Sequence, residues 1–191
     1  MRTIIFAASL AALSVSGSAP HTPPRPTAAH AGNPQLDTLF LRLAKAGSGE
    51  EAKPLEDQIL TLFLESGSAS VDLLMTRAAG ALAAGDMDTA RQLLDVVTKV
   101  APDYAEGWHQ RGKLQAVAGD DEGAIVSLQK AVTLNPRQFA AMTELGAILD
   151  EYGDKRDALK MLRRVEALDP HFADVDREVR QLTRDVEGDK I

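Results

Sequence analysis

Five residue columns recur along this chain at a spacing of 34, in one frame and without an insertion, and no other feature limits its fold as tightly. Gly85, Gly119 and Gly153 stand one period apart, each followed by aspartate at Asp86, Asp120 and Asp154. Ala90, Ala124 and Ala158 repeat, as do Leu94, Leu128 and Leu162, and then Pro102, Pro136 and Pro170. A unit of this length cannot bury an apolar face alone, so neighbouring units must stack.

Each column has a physical reason. Glycine tolerates the left-handed conformation that follows a helix C-terminus, and the aspartate after it favours the start of the next helix. The small alanines let two antiparallel helices approach closely. The leucines lie four residues further along the same face, with Val97, Ala131 and Val165 three beyond, which completes a helical stripe. The prolines stop the second helix and turn the chain into the next unit. The spacing predicts three helix hairpins, 71–104, 105–138 and 139–172, with turns at the Gly-Asp pairs and no β-sheet.

This pattern resembles the tetratricopeptide repeat family. Unit 105–138 carries Trp108, Gly112, Ala124, Leu128, Ala131 and Pro136 at the family's marked positions; unit 139–172 carries Met142, Leu145, Gly146, Ala158, Leu162 and Pro170. Unit 71–104 is looser but keeps Leu74, Ala78, Ala90 and Pro102, while Arg77 and Arg111 stand where the family usually has leucine. The resemblance implies an all-α fold, an α-solenoid of antiparallel hairpins with terminal capping helices, whose first helices line a concave groove that often binds peptides or partner proteins. By repeat position that groove holds Asp72, Met75, Ala79 and Leu82, then Glu106, His109, Lys113, Ala116 and Val117, then Ala140, Thr143, Ala147, Asp150 and Glu151. Its middle is apolar and its edges acidic, which suits a segment with small apolar and some basic side chains. The family's two-carboxylate clamp needs lysine and asparagine at set inner positions; only Lys113 matches, so acidic peptide tails are not the expected ligand.

Two features of this surface carry alternatives. Burying an unpaired charge costs several kcal/mol, so Arg77 and Arg111 must reach water, a carboxylate or a ligand anion. Internal pairing with Glu106 and Glu144 is one reading, and a paired anion site is the other. His109 is either a groove contact or a solvated surface residue. Trp108, at a packed repeat position, belongs to the core.

Before the repeats, residues 32–70 place Leu36, Leu39, Phe40 and Leu43, then Leu55, Ile59, Leu62 and Phe63, at helical spacing around Gly47-Ser48-Gly49. This is a helix pair, a degenerate repeat or cap expected to protect the near end of the stack. After them, residues 173–191 put Val175, Val179, Leu182 and Val186 on one face, a capping helix with one side on the stack and one in water. The whole comes to about nine helices.

Residues 1–31 read as an address. Arg2 precedes an apolar run from Ile4 to Val15, then small residues and a spacer with four prolines between Pro20 and Ala31. The run is short of the roughly 20 residues that span a bilayer, so a cleaved signal peptide is expected rather than a stable membrane span. Export follows, to the periplasm if the source is Gram-negative. The net charge of −7 opposes nucleic acid or an anionic membrane as main partner, and the absence of cysteine removes disulfides and thiolate chemistry.

No nucleophile with its base, phosphate loop or zinc motif is arranged in the sequence, and no cofactor or metal is expected. Two function classes remain: a non-enzymatic module that binds a protein or peptide in the groove, and a structural component that associates through convex or terminal surfaces. The oligomeric state is open.

Overall fold

The computed structural model describes residues 33–188; the expected leader and spacer lie outside them. Asn33 opens α1 (Pro34–Leu43) by accepting the Gln35 and Leu36 N–H groups at 3.0 and 3.3 Å, and Pro34 has no donor to leave orphaned. Ser48 caps α2 (Gly49–Phe63) through the Glu51 N–H. Three hairpins follow: α3 (Ala69–Ala83) with α4 (Met87–Val100), α5 (Ala105–Val117) with α6 (Asp121–Leu134), and α7 (Phe139–Glu151) with α8 (Lys155–Leu168). A 3-10 turn, Phe172–Asp174, leads into α9 (Val175–Glu187). Among the described residues the fold is all α-helical, with nine α-helices and no strand.

The repeated columns do what their chemistry predicts. Gly85, Gly119 and Gly153 take φ of 75°, 76° and 82°, which side chains rarely tolerate. The aspartates behind them cap the second helices, accepting the N–H of Thr89, Gly123 and Asp157. Ala90, Ala124 and Ala158 are fully buried, and Leu94, Leu128 and Leu162 lie beside them in the core. Gly112 and Gly146 mark close approaches of the two helices. A Cβ on Gly112 would lie 2.8 Å from Leu128 Cγ, and one on Gly146 3.1 Å from Leu162 Cδ2.

Consecutive hairpins stack through α4 on α5 and α6 on α7, and α9 packs on α8. Val175, Val179 and Leu182 are buried beneath this last helix, and Val186 is half-buried. Trp108 is half-buried against the core, its Nε1–H donating to the Pro102 carbonyl at 3.0 Å.

The first helix pair lies elsewhere than over the near end of the stack. Its apolar face joins the core of the later repeats: Phe40 and Phe63 pack on Phe139 with ring centroids 6.3 and 6.4 Å apart, and Phe139 in turn meets Phe172 at 4.7 Å. Arg137 pairs with Asp37 at 2.6 Å and stacks over Phe40; His171 Nε2–H donates to the Ala46 carbonyl at 3.0 Å; Tyr104 donates its hydroxyl proton to the Leu64 carbonyl at 2.8 Å. These repeat-side residues all stand at the junctions between hairpins, where one second helix ends and the next first helix begins. The pair is a strap laid across three junctions, and α3 and α4 keep a smaller core of their own with Tyr104 and Leu114.

Glycine substitutions separate close approach from mere permissiveness. Gly112→Ala, which must displace Leu128, is expected to cost about 1–3 kcal/mol in urea unfolding. Gly80, inside α3 with open space around its Cα, should gain roughly 0.5–1 kcal/mol on change to alanine. Equal effects at the two sites would contradict the packing described.

Candidate partner-binding groove

The first helices α3, α5 and α7 bring the residues expected in the groove to very different depths. Ala79, Lys113, Val117, Asp150 and Glu151 are exposed; Asp72, Leu82 and Thr143 are half-buried; Met75, Glu106 and His109 are buried. Asp72, Met75, Ala79 and Leu82 of α3 meet Leu94 of α4, Gln110 of α5 and Leu64 at the end of α2 around an apolar hollow of about 340 Å³. One oxygen of Asp72 is committed within it, accepting the Ser66 N–H at 3.0 Å and hydroxyl at 2.6 Å, which fixes the link from α2 to α3. A second hollow, about 460 Å³, lies at the other end, where Ala147, Asp150 and Glu151 of α7 face Arg177, Glu178 and Gln181 of α9.

His109 and Glu106 require a correction, since neither is a groove-surface residue. His109 is only 4% exposed. Its Nδ1 lies 3.1 Å from Glu106 Oε2, and its Nε2 lies 3.3 Å from Glu144 Oε2 in an ion pair too oblique for a directed hydrogen bond. Glu106 also accepts from Gln110 Nε2 at 2.6 Å and from Gln138 Nε2, a fully buried amide at the next junction. Burial alone would push the imidazole pKa down. The Glu106 hydrogen bond and the charges of Glu106 and Glu144 outweigh it and hold the pKa up at about 9, so the ring is an imidazolium at neutral pH. This cluster rivets α5 to α7 from inside.

Glu106 and Glu144 are therefore taken, and neither pairs with an arginine as expected. Arg111 turns the other way, toward the second helices. Its Nε donates to Asp95 at 2.7 Å and its Nη1 to Ser127 at 2.8 Å and Gln115 at 3.3 Å; Gln115 Nε2 continues the chain to the capping Asp120 at 2.9 Å. This is the internal ion pair with a different carboxylate. Arg77 is exposed on α3, where water solvates it. No helix among the described residues is long and apolar enough to cross a membrane.

A TPR repeat-containing protein of Rhizobium etli is 28% identical over 156 residues, covering 82% of this chain and 76% of its own. Three solved structures share the fold at 17–24% identity. A crystal structure of MamA has a TM-score of 0.57 and covers 82% of this chain and 85% of its own. The first TPR of Spaghetti (RPAP3), bound to the HSP90 peptide SRMEEVD, has a TM-score of 0.56 over 61% of this chain and 95% of its own. In an O-GlcNAc transferase mutant of Thermobaculum terrenum, TM-score 0.54, the likeness spans 61% of this chain but 22% of that one. No family model matches the chain. The assignment rests on the 34-residue hairpins themselves and on these likenesses. The chain has the tetratricopeptide repeat fold.

Within this tetratricopeptide stack the His109 cluster makes stability depend on pH with a definite sign. A histidine whose folded pKa exceeds the unfolded value contributes fully below about 6.5, and the contribution fades as pH rises through about 9. Denaturant unfolding from pH 6 to 10 should show wild type losing on the order of 2–3 kcal/mol more than His109→Gln across that window. Parallel profiles for the two proteins would contradict the buried imidazolium.

Proposed function

We propose that this chain is a non-catalytic interaction module of the cell envelope, holding a segment of a partner protein in the hollow between α3 and α5. The observation that carries this reading is the hollow itself. Met75, Ala79, Leu82, Leu94 and Leu64 give it apolar walls, and its volume of about 340 Å³ falls within the range of roughly 300–1,000 Å³ usual for ligand sites. Its wall on α3 is the first-helix surface of the opening repeat. The peptide held by the first TPR of Spaghetti (RPAP3) supports the reading by likeness of fold. Export is supported by the N-terminal sequence, with Arg2, the apolar run and the proline-rich spacer.

The absence of catalysis in this proposal has its own support. His109, with Glu106 and Glu144 against its ring, is locked among them rather than aimed at a cleft, and burial keeps it from any substrate. They hold helices together.

The reading is tested by selecting binders from a displayed random-peptide library on the full chain, then measuring the selected peptides against two variants. Ala79→Arg places a charge on the wall of the hollow at an exposed position; Val126→Arg does the same on α6, where Val126 is 62% exposed. Ala79→Arg should weaken binding at least about tenfold, a loss of about 1.4 kcal/mol, with little change in melting temperature. Val126→Arg should bind as wild type. The reverse pattern would favour assembly through the outer surface.

A further inference from the structure

One interaction in the strap differs from the rest. Glu56, on the buried face of α2, is 5% exposed, and Asp169, at the end of α8, is fully buried; the strap docks on this turn through His171 and Ala46, and the two carboxyls interact across it. Asp169 Oδ1 accepts the His171 N–H at 3.0 Å, while Oδ2 is buried without a hydrogen-bond partner. Two carboxyls thus meet across the boundary between strap and solenoid, in a core of leucine and phenylalanine. Both cannot ionise there without a large desolvation penalty and mutual repulsion.

The charges nearby do not offset this. On α2 itself, Lys53 reaches Glu56 only at 3.5 Å, is 62% exposed, and is shared with Asp57 at 2.9 Å. Arg42, in the last turn of α1, and Lys45, just after it, lie in a surface depression beside Glu51 and Leu55. In the turn before α7, Arg137 is committed to Asp37. In the turn after α8, His171 uses its ring on the Ala46 carbonyl.

We propose that the α1–α2 pair is a pH-sensitive strap, docked across the repeat junctions while Glu56 and Asp169 hold a proton between them and loosened when both ionise. Burial raises both carboxyls above their ordinary values, and the charge of Asp169 pushes Glu56 up further. A carboxyl that binds its proton more tightly when docked makes docking strongest in acid. The hold weakens as pH climbs above the usual carboxylate range. Because Leu64 at the end of α2 walls the α3–α5 hollow, a loosened strap also widens that hollow, but the switch stands whether or not the hollow takes a partner.

Amide hydrogen exchange on the full chain at pH 5 and pH 8, corrected for intrinsic exchange rates, tests this. Protection of α1 and α2 should fall by roughly tenfold or more relative to α7 and α8 between the two conditions. Glu56→Gln, which cannot ionise and can donate to Asp169 Oδ2, should keep the strap protected at pH 8. Asp169→Asn retains the acceptor for His171 N–H and should do the same, so that if one variant loses its fold the other decides. Unchanged strap protection in wild type would overturn the proposal. A pH-dependent loss that persists in the folded variants would overturn it too, by assigning the effect to His171 or the surface charges.

Discussion

Leu128 lies against the bare backbone of Gly112, with Ala124 one turn before it, and this approach sets the dimensions of the hairpin. Two helices can meet this closely only where one contributes no side chain and the other a small one. The same contact recurs at Gly146 with Leu162 and Ala158. With the spacing inside each hairpin fixed, the capped Gly-Asp turn fixes its direction, and the proline after the second helix fixes the step to the next unit. Fully burying Leu94, Leu128 and Leu162 at these contacts contributes about 1.5–3 kcal/mol each, repeated along the stack.

The inner face of the stack is divided between two uses. Its central part is spent on cohesion: Glu106, His109, Gln138 and Glu144 form a charged cluster that joins α5 to α7, and Phe139 and Phe172 receive the strap. At its ends lie the α3–α5 and α7–α9 hollows. Function and stability are thus drawn from the same set of repeat positions. A charge reversal at Glu106, on the face of it a binding-surface change, would leave His109 with a repulsive neighbour in the interior and unfold rather than merely unbind.

The hairpins, their turns and the closing helix were legible because they depend on local rules: a glycine at positive φ, an aspartate cap, an alanine-leucine stripe. Arg111 was half legible. Its need for a carboxylate follows from the cost of buried charge, but Asp95 lies on the preceding second helix, and no spacing rule favours it over Glu106 or Glu144. The depth of Glu106 and His109 was not legible, since the position that faces a groove in a bare repeat is sealed here by Gln138 and Gln110. Nor was the place of the strap, because an amphipathic helix reveals that it has an apolar face and not which surface it will cover. Two signals did exist. Phe139 stands where the other units have Val71 and Ala105, a ring in excess of what the hairpin itself can bury. Leu36, Phe40, Ile59 and Phe63 offered more apolar surface than one repeat end requires.

The account turns on the strap crossing the later junctions rather than closing the near end of the stack. Phenylalanine-selective NMR labelling reads this directly through contacts between rings. The account predicts nuclear Overhauser effects from both Phe40 and Phe63 to Phe139, whose ring centroids lie 6.3 and 6.4 Å away, and from Phe139 to Phe172. Contacts from Phe40 and Phe63 to Val71 and Leu74 of α3, with none to Phe139, would contradict it.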